Sequence, residues 1–260
     1  MRGVWHRDTV SWIIVSAMLP VVVAASLDLG LATMQRFGVA LAVISFWQGV
    51  FLFTRAQPLS PIALITAFAV AVLASGTTEM WQIVLAASFG TVMGEQIFGG
   101  WGRNVVNAGV VTLAFLYFAF PEVLHTGTGP LVAVAAGFGA LLLLVMGVLS
   151  WRIAVAATMG LVLATFALGQ DPAAPFLEGS LVFGLVFLIG DPVASASTRM
   201  GRWAYGALAG ALVAIFGWAD AGIDAPQAVV FATLLASLFA PLLDAAAVAV
   251  ATRKWRGGHA

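Results

Sequence analysis

The stretch PLVAVAAGFGALLLLVMGVL, residues 130–149, runs for twenty residues without one charged side chain. An α-helix rising 1.5 Å per residue needs about 20 apolar residues to cross the hydrocarbon core of a bilayer, so this stretch reads as a membrane span. Outward from it the same reading recurs at 10–27, 37–53, 61–75, 80–95, 104–120, 151–168, 177–190, 203–218 and 227–250. The expected fold is all-α: about ten transmembrane helices joined by tight loops. The runs 61–75, 80–95 and 177–190 are short or broken. Gly94, Gly99, Gly100, Gly102, Gly190 and Pro192 around them suggest helices interrupted at depth, which lipid tolerates only where protein or a cavity covers the freed backbone groups.

Composition sets the class independently. Hydrophobic residues make up 62% and charged residues 8% of the chain, and the mean hydropathy is +1.06; soluble domains carry about 25% charged residues. A separate soluble domain is excluded, and residues 1–260 read as a single transmembrane unit. Net charge is zero, so nothing points to nucleic acid. The absence of cysteine removes disulfides, thiolate nucleophiles and cysteine-held iron–sulfur clusters from the chain. No small-residue cleavage pattern follows the first apolar run, so it reads as a retained helix rather than a signal peptide.

Charge placement orients the spans. With the N-terminus inside, ten of the eleven basic residues fall in inside segments: Arg2, Arg7, Arg55, Arg103, Arg152, Arg199, Arg202, Arg253, Lys254 and Arg256. Only Arg36 lies outside, together with the acidic Asp28, Glu79, Glu122, Asp171, Glu178, Asp220 and Asp224. Both termini are therefore expected in the cytoplasm. An echo between Gly94-Glu95 with Gly102-Arg103, and Gly190-Asp191 with Gly201-Arg202, suggests two five-helix halves, about 1–125 and 126–260. An odd number of helices per half makes the halves inverted, a common transporter plan with a site near the midplane.

Two polar segments stand out. In Gly94–Asn107, four glycines and side chains including Glu95, Gln96, Arg103, Asn104 and Asn107 crowd the edge of a greasy chain. Glycine allows close backbone approach, and asparagines at i, i+3 share one face of a helix. Two amides so placed can hydrogen-bond a planar heterocycle, or they can cap the helix and satisfy the broken backbone. In Gly190–Arg199, Asp191 follows an apolar run, where a carboxylate must pair, bind a cation or face water. It is read either as a Na⁺ or H⁺ ligand or as an N-cap with Pro192 at the first helical position. Asp244 in the last helix is expected to be structural. His6, His125 and His259 are too scattered for a metal site. Trp5, Trp12, Trp101, Trp151, Trp203 and Trp255 fit an interfacial belt, and no nucleotide or nucleophile-elbow motif occurs in strand context.

At these segments the chain resembles the NqrB/RnfD family, the flavin-carrying membrane subunits of the sodium-pumping NADH:quinone oxidoreductase and of the Rnf complex. The resemblance runs in order through Phe98-Gly99-Gly100 with Gly102, Asn104 and Asn107, then Ala114-Phe115-Leu116 to Phe120-Pro121 and Ser150-Trp151-Arg152-Ile153. It continues through Asp191-Pro192-Val193 with Ser195, Ala196 and Ser197, then Tyr205-Gly206, and ends in Leu238-Phe239-Ala240-Pro241-Leu242-Leu243-Asp244. It implies ten helices in two inverted halves, similar to urea channels. It also implies a noncovalent riboflavin beside Gly99, Gly100, Gly102, Asn104 and Asn107. Glu95 and Asp191, as carboxylates in the two polar segments, are the candidates for an ion pathway.

The chain departs from the family pattern in three places. Where the family carries FMN on a threonine of a Ser/Thr-Gly-Ala-Thr motif, this chain has Thr126-Gly127-Thr128-Gly129, with glycine at the acceptor position. Covalent FMN is not expected, and Thr128 is the remaining candidate. Glu95-Gln96 replaces the family's Lys-Glu, and Ala108 replaces a proline.

The resemblance thus implies a bacterial inner-membrane subunit of an Rnf/Nqr-like electron-transport complex, passing electrons through bound flavin with Na⁺ or H⁺ coupling, among other membrane and redox subunits and with quinone as a further partner. It would not be catalytic alone. The alternatives are a urea-channel-like transporter of small solutes and a redox-inactive membrane anchor.

Overall fold

A computed structural model describes residues 7–57, 60–121, 127–219 and 226–257. The three histidines, Arg2, Trp5, Glu122, Thr126, Asp220 and Asp224 lie outside the described residues, as do the side chains of Arg253, Lys254, Trp255 and Arg256. The described residues form ten α-helical segments and no strand. They are α1 Arg7–Leu29, α2 Ala32–Arg55, α3 Ile62–Leu73, α4 Met80–Gly94, α5 Ala108–Ala119, α6 Pro130–Val145, α7 Trp151–Ala167, α8 Gly179–Phe183, α9 Arg199–Ala219 and α10 Pro226–Gly257. A π-helical turn over Gly184–Ile189 prolongs α8.

Four of these, α1, α2, α9 and α10, are long and apolar enough to cross a membrane. Shorter apolar helices fill five of the six remaining expected spans, and α4 falls on the sixth. The most consequential boundary difference is α5, which starts at Ala108 rather than 104 because Asn107 caps it with its own side chain.

The helices pack in a pattern that repeats after five. α1 lies on α6 and α5 on α10; α4 packs on α5 as α9 does on α10; α2 packs on α4 as α7 does on α9; and α3 packs on α1 as α8 does on α6. Small residues let these axes approach, the usual way to gain dispersion contact where lipid removes the hydrophobic drive. A Cβ added at Gly206 would lie 2.7 Å from the carbonyl oxygen of Ile153, and one at Gly139 would lie 2.8 Å from that of Ala17. The sequence echo between Gly94-Glu95 and Gly190-Asp191 does not follow this pattern. It marks the ends of α4 and of the α8 turn, four helices apart, and the structure brings the two segments together instead.

Contacts sort the loops to two ends. At one end a side chain on Gly100 would meet Arg7 Nη2 at 3.5 Å, Gln57 Nε2 donates to the carbonyl of Gln96 at 3.1 Å, and the segment after α4 touches the bend after α8. At the other, Asp28 accepts from the Gly129 amide at 2.6 Å and the Gly179 amide donates to the carbonyl of Thr128 at 2.9 Å. Among the described residues, Arg7, Arg103 and Arg202, placed inside by charge alone, lie at the first end.

α3, at about 18 Å, cannot span about 30 Å of hydrocarbon. Its last carbonyls therefore need donors at depth. Tyr117 Oη donates to the carbonyl of Leu73 at 2.9 Å and the Arg36 guanidinium to that of Ala74. Arg36 is buried within α2 and also donates to Thr33 Oγ1 at 3.2 Å.

Candidate functional site

The glycine-rich segment after α4 is a folded platform. Glu95 breaks the helix, a 3₁₀ turn covers Gln96–Phe98, and Gly99, Gly100 and Gly102 follow with φ of 100°, 87° and 93°. Only glycine holds that left-handed region without a Cβ clash, so the three glycines are required by the path of the chain. Glu95 is 2% exposed, and its Oε1 accepts from Gln96 Nε2 at 3.1 Å.

The two asparagines do not share a helical face as expected. Asn104 lies in the loop, where its Oδ1 accepts from the Gly102 amide at 3.1 Å and its Nδ2 donates to the carbonyl of Val106 at 2.9 Å. Asn107 is the N-cap of α5, its Oδ1 accepting from the Gly109 and Val110 amides at 2.8 and 3.4 Å. That satisfies two of the amides a helix start leaves open. Its Nδ2 donates to Asp191 Oδ2.

That hydrogen bond joins the two polar segments. Asp191 is 6% exposed; its Oδ1 accepts from the Val193 and Ala194 amides at 2.6 and 3.0 Å. Three donors thus converge on one buried carboxylate, the condition under which a charge is tolerated away from water. The N-cap expectation holds for the hydrogen bonds but not for the helix, since Pro192 opens a bend and α9 starts only at Arg199. Its start is capped from a distance. Asp244 accepts from the amides and hydroxyls of Ser197 and Thr198 at 2.6–2.9 Å.

Asp191 also borders a cavity with about 10 Å³ of room, lined by Ile14, Ile62, Leu143, Val186 and Phe187, about the space of one water. Tyr205 and Ser237 are buried as well. Neither hydroxyl completes a hydrogen bond.

Sequence reading missed several groups. Gln57 Oε1 and Trp101 Nε1 are buried without a partner, and Gln57 stands beside Gly100. They are the free acceptor and donor of the platform, where Asn104 and Asn107 are engaged. Nothing in the local pattern around Gln57 distinguished it. Arg36, expected in an outside loop because it precedes the span 37–53, is buried instead, since α2 starts at Ala32. Thr128 is 3% exposed, its hydroxyl packed close to Gly179.

The NQR2, RnfD, RnfE family matches residues 5–130 and 122–252. A Na(+)-translocating NADH-quinone reductase component of Ectopseudomonas mendocina (strain ymp), the one designated B, is 26% identical over 80% of this chain and 65% of its own length. Proteins of the same name are 27% identical in Klebsiella pneumoniae (strain 342), over 97% of this chain and 76% of the relative, and 28% identical in Chromohalobacter salexigens, over 79% and 63%. The chain thus spans less than two thirds of the length of the Ectopseudomonas and Chromohalobacter proteins.

Proposed function

This chain belongs to the NQR2, RnfD, RnfE family, and from that premise we propose that it is a membrane subunit of an Rnf/Nqr-like electron-transport complex, passing electrons through a noncovalently bound flavin and coupled to Na⁺ or H⁺ movement. The observation that carries the flavin reading is the platform of Gly99, Gly100 and Gly102 with an orphaned acceptor, Gln57 Oε1, and an orphaned donor, Trp101 Nε1. Buried polar atoms cost free energy until they find a partner, and a planar heterocycle with donors and acceptors on its edge offers one. Asn104 and Asn107 hold the platform's backbone in place for that ligand. When bound, the flavin supplies the redox chemistry, and the chain supplies orientation and polarity. The buried hydroxyl of Thr128 supports a noncovalent mode.

Glu95 and Asp191 are the carboxylates for ion coupling, being buried close to the segment junction. The packing pattern that repeats after five helices supports ten membrane-inserted helices in two inverted halves, about 1–125 and 126–260. The arginine-rich end supports cytoplasmic termini in a bacterial inner membrane. Other membrane and redox subunits complete the proposed complex, because the chain holds no cysteine for clusters, and quinone is a further partner.

The alternative is a channel for small solutes or a redox-inactive anchor. Absorption and mass analysis of the detergent-solubilised protein, before and after denaturation, tests the reading. Release of riboflavin is the expected result. A preparation free of flavin in either form moves the assignment to a channel or an anchor.

A further inference from the structure

Between the turn joining α6 to α7 and the bend after α8 lies a second cavity of about 70 Å³, bordered by Ser150, Gly190, Ser195 and Arg202. Its chemistry is the reverse of that around Asp191. Arg202 Nε donates to the carbonyl of Ala196 at 3.3 Å, which sets the plane of the guanidinium. Ser150 occupies the N-cap of α7 yet makes no capping hydrogen bond, and its buried hydroxyl oxygen has no partner. An N-cap serine ordinarily satisfies a first-turn amide, so both the hydroxyl and the helix start remain open to an acceptor. Among the described residues no carboxylate borders the cavity. The nearby Asp191 turns its oxygens to Asn107, Val193 and Ala194.

The surroundings place this donor-lined cavity at an interfacial level. Trp151 and Trp203, at the starts of α7 and α9, meet edge to face at 5.6 Å, and the Arg152 guanidinium lies 4.9 Å from the Trp151 ring. Tryptophan and arginine together mark the headgroup level of a bilayer. A guanidinium fork with hydroxyl donors and a helix start is the donor set that suits a tetrahedral oxyanion. We propose that this cavity binds a phosphate group, carried either by a phospholipid headgroup or by free inorganic phosphate. The site is separate from the flavin platform and does not depend on the redox reading.

The test uses the full chain, purified in detergent and stripped of lipid, as wild type, Arg202→Gln, Arg202→Lys and Ser150→Ala. One arm titrates inorganic phosphate against thermal stability, with chloride at matched ionic strength as control. The other scores one-to-one adducts of phosphatidylglycerol by native mass spectrometry, with diacylglycerol as the phosphate-free control. Binding in the lipid arm alone identifies a headgroup; stabilisation by phosphate without lipid identifies the free anion. Arg202→Gln is expected to weaken whichever binds by about tenfold or more, with Arg202→Lys intermediate because it keeps charge and loses the fork. Ser150→Ala, which removes a single hydroxyl, decides the matter if the arginine variants fail to fold. The proposal is overturned if wild type binds neither probe, or if the folded variants bind as wild type does.

Discussion

Two places where the chain leaves a helix are solved with opposite chemistry. At the end of α3 the freed groups are carbonyls, and donors come to them: Tyr117 Oη to Leu73 and the Arg36 guanidinium to Ala74. After the α8 turn the freed groups are amides, at Val193, Ala194, Ser197 and Thr198, and carboxylates come to them from Asp191 and Asp244. A helix ends in bare C=O groups and starts from bare N–H groups, so the polarity of the break dictates the charge of the residue that mends it. The charged side chains of an otherwise greasy chain are explained first as repair of backbone. Asp191 adds to this a contact that Arg36 lacks, its hydrogen bond to Asn107 in the first half of the chain.

Substitutions can break or sharpen that contrast. Asp191→Ala leaves two amides and the Asn107 amide without an acceptor; a loss of about 3–4 kcal/mol is expected in an SDS-unfolding titration. A cycle with Asn107→Ala should then show coupling of about 1–3 kcal/mol; additive losses would mean that the two segments are not held by this bond. Arg36→Met orphans a carbonyl but also removes a buried charge whose Nε has no partner. The offset should limit its cost to about 1–2 kcal/mol, and a loss as large as that of Asp191→Ala would sink the proposed difference between the breaks. Asp244→Ala deletes a cap at a partly exposed position and should cost about 1–2 kcal/mol, read as faster amide exchange at the start of α9. Tyr117→Phe, losing one neutral hydrogen bond to Leu73, should cost about 1 kcal/mol; thermal unfolding in detergent is sensitive enough to register it.

The echo between Gly94-Glu95 and Gly190-Asp191 illustrates how far local reading reaches. Both segments are visible as polar islands because glycine and carboxylates are out of place in apolar runs. They are not equivalent positions in two repeats, since they end α4 and the α8 turn, and their likeness reflects a shared need to leave a helix. Apolar periodicity extends a helical face to Asn104 because it does not reveal where a cap falls; the Asn107 side chain moves the start of α5 beyond it. Gln57 carries no local sign of a role and Trp101 only that of an interfacial aromatic, although it is buried, because an orphaned atom is defined by what fails to surround it.

The amino-acid sequence by itself determined that this is an all-helical, membrane-type chain, roughly where its helices run, which end gathers the arginines and which family it resembles. Those properties are sums over neighbouring residues, and lipid makes them strict by forbidding unpaired backbone. Only the tertiary structure decided that Asn107 meets Asp191 across 84 residues, that Asp244 caps α9 across 46, and that Arg36 closes α3 across 38. Each is a pairing between distant groups. A single chain read in order records which groups need partners but not which partners folding brings within hydrogen-bonding reach of them.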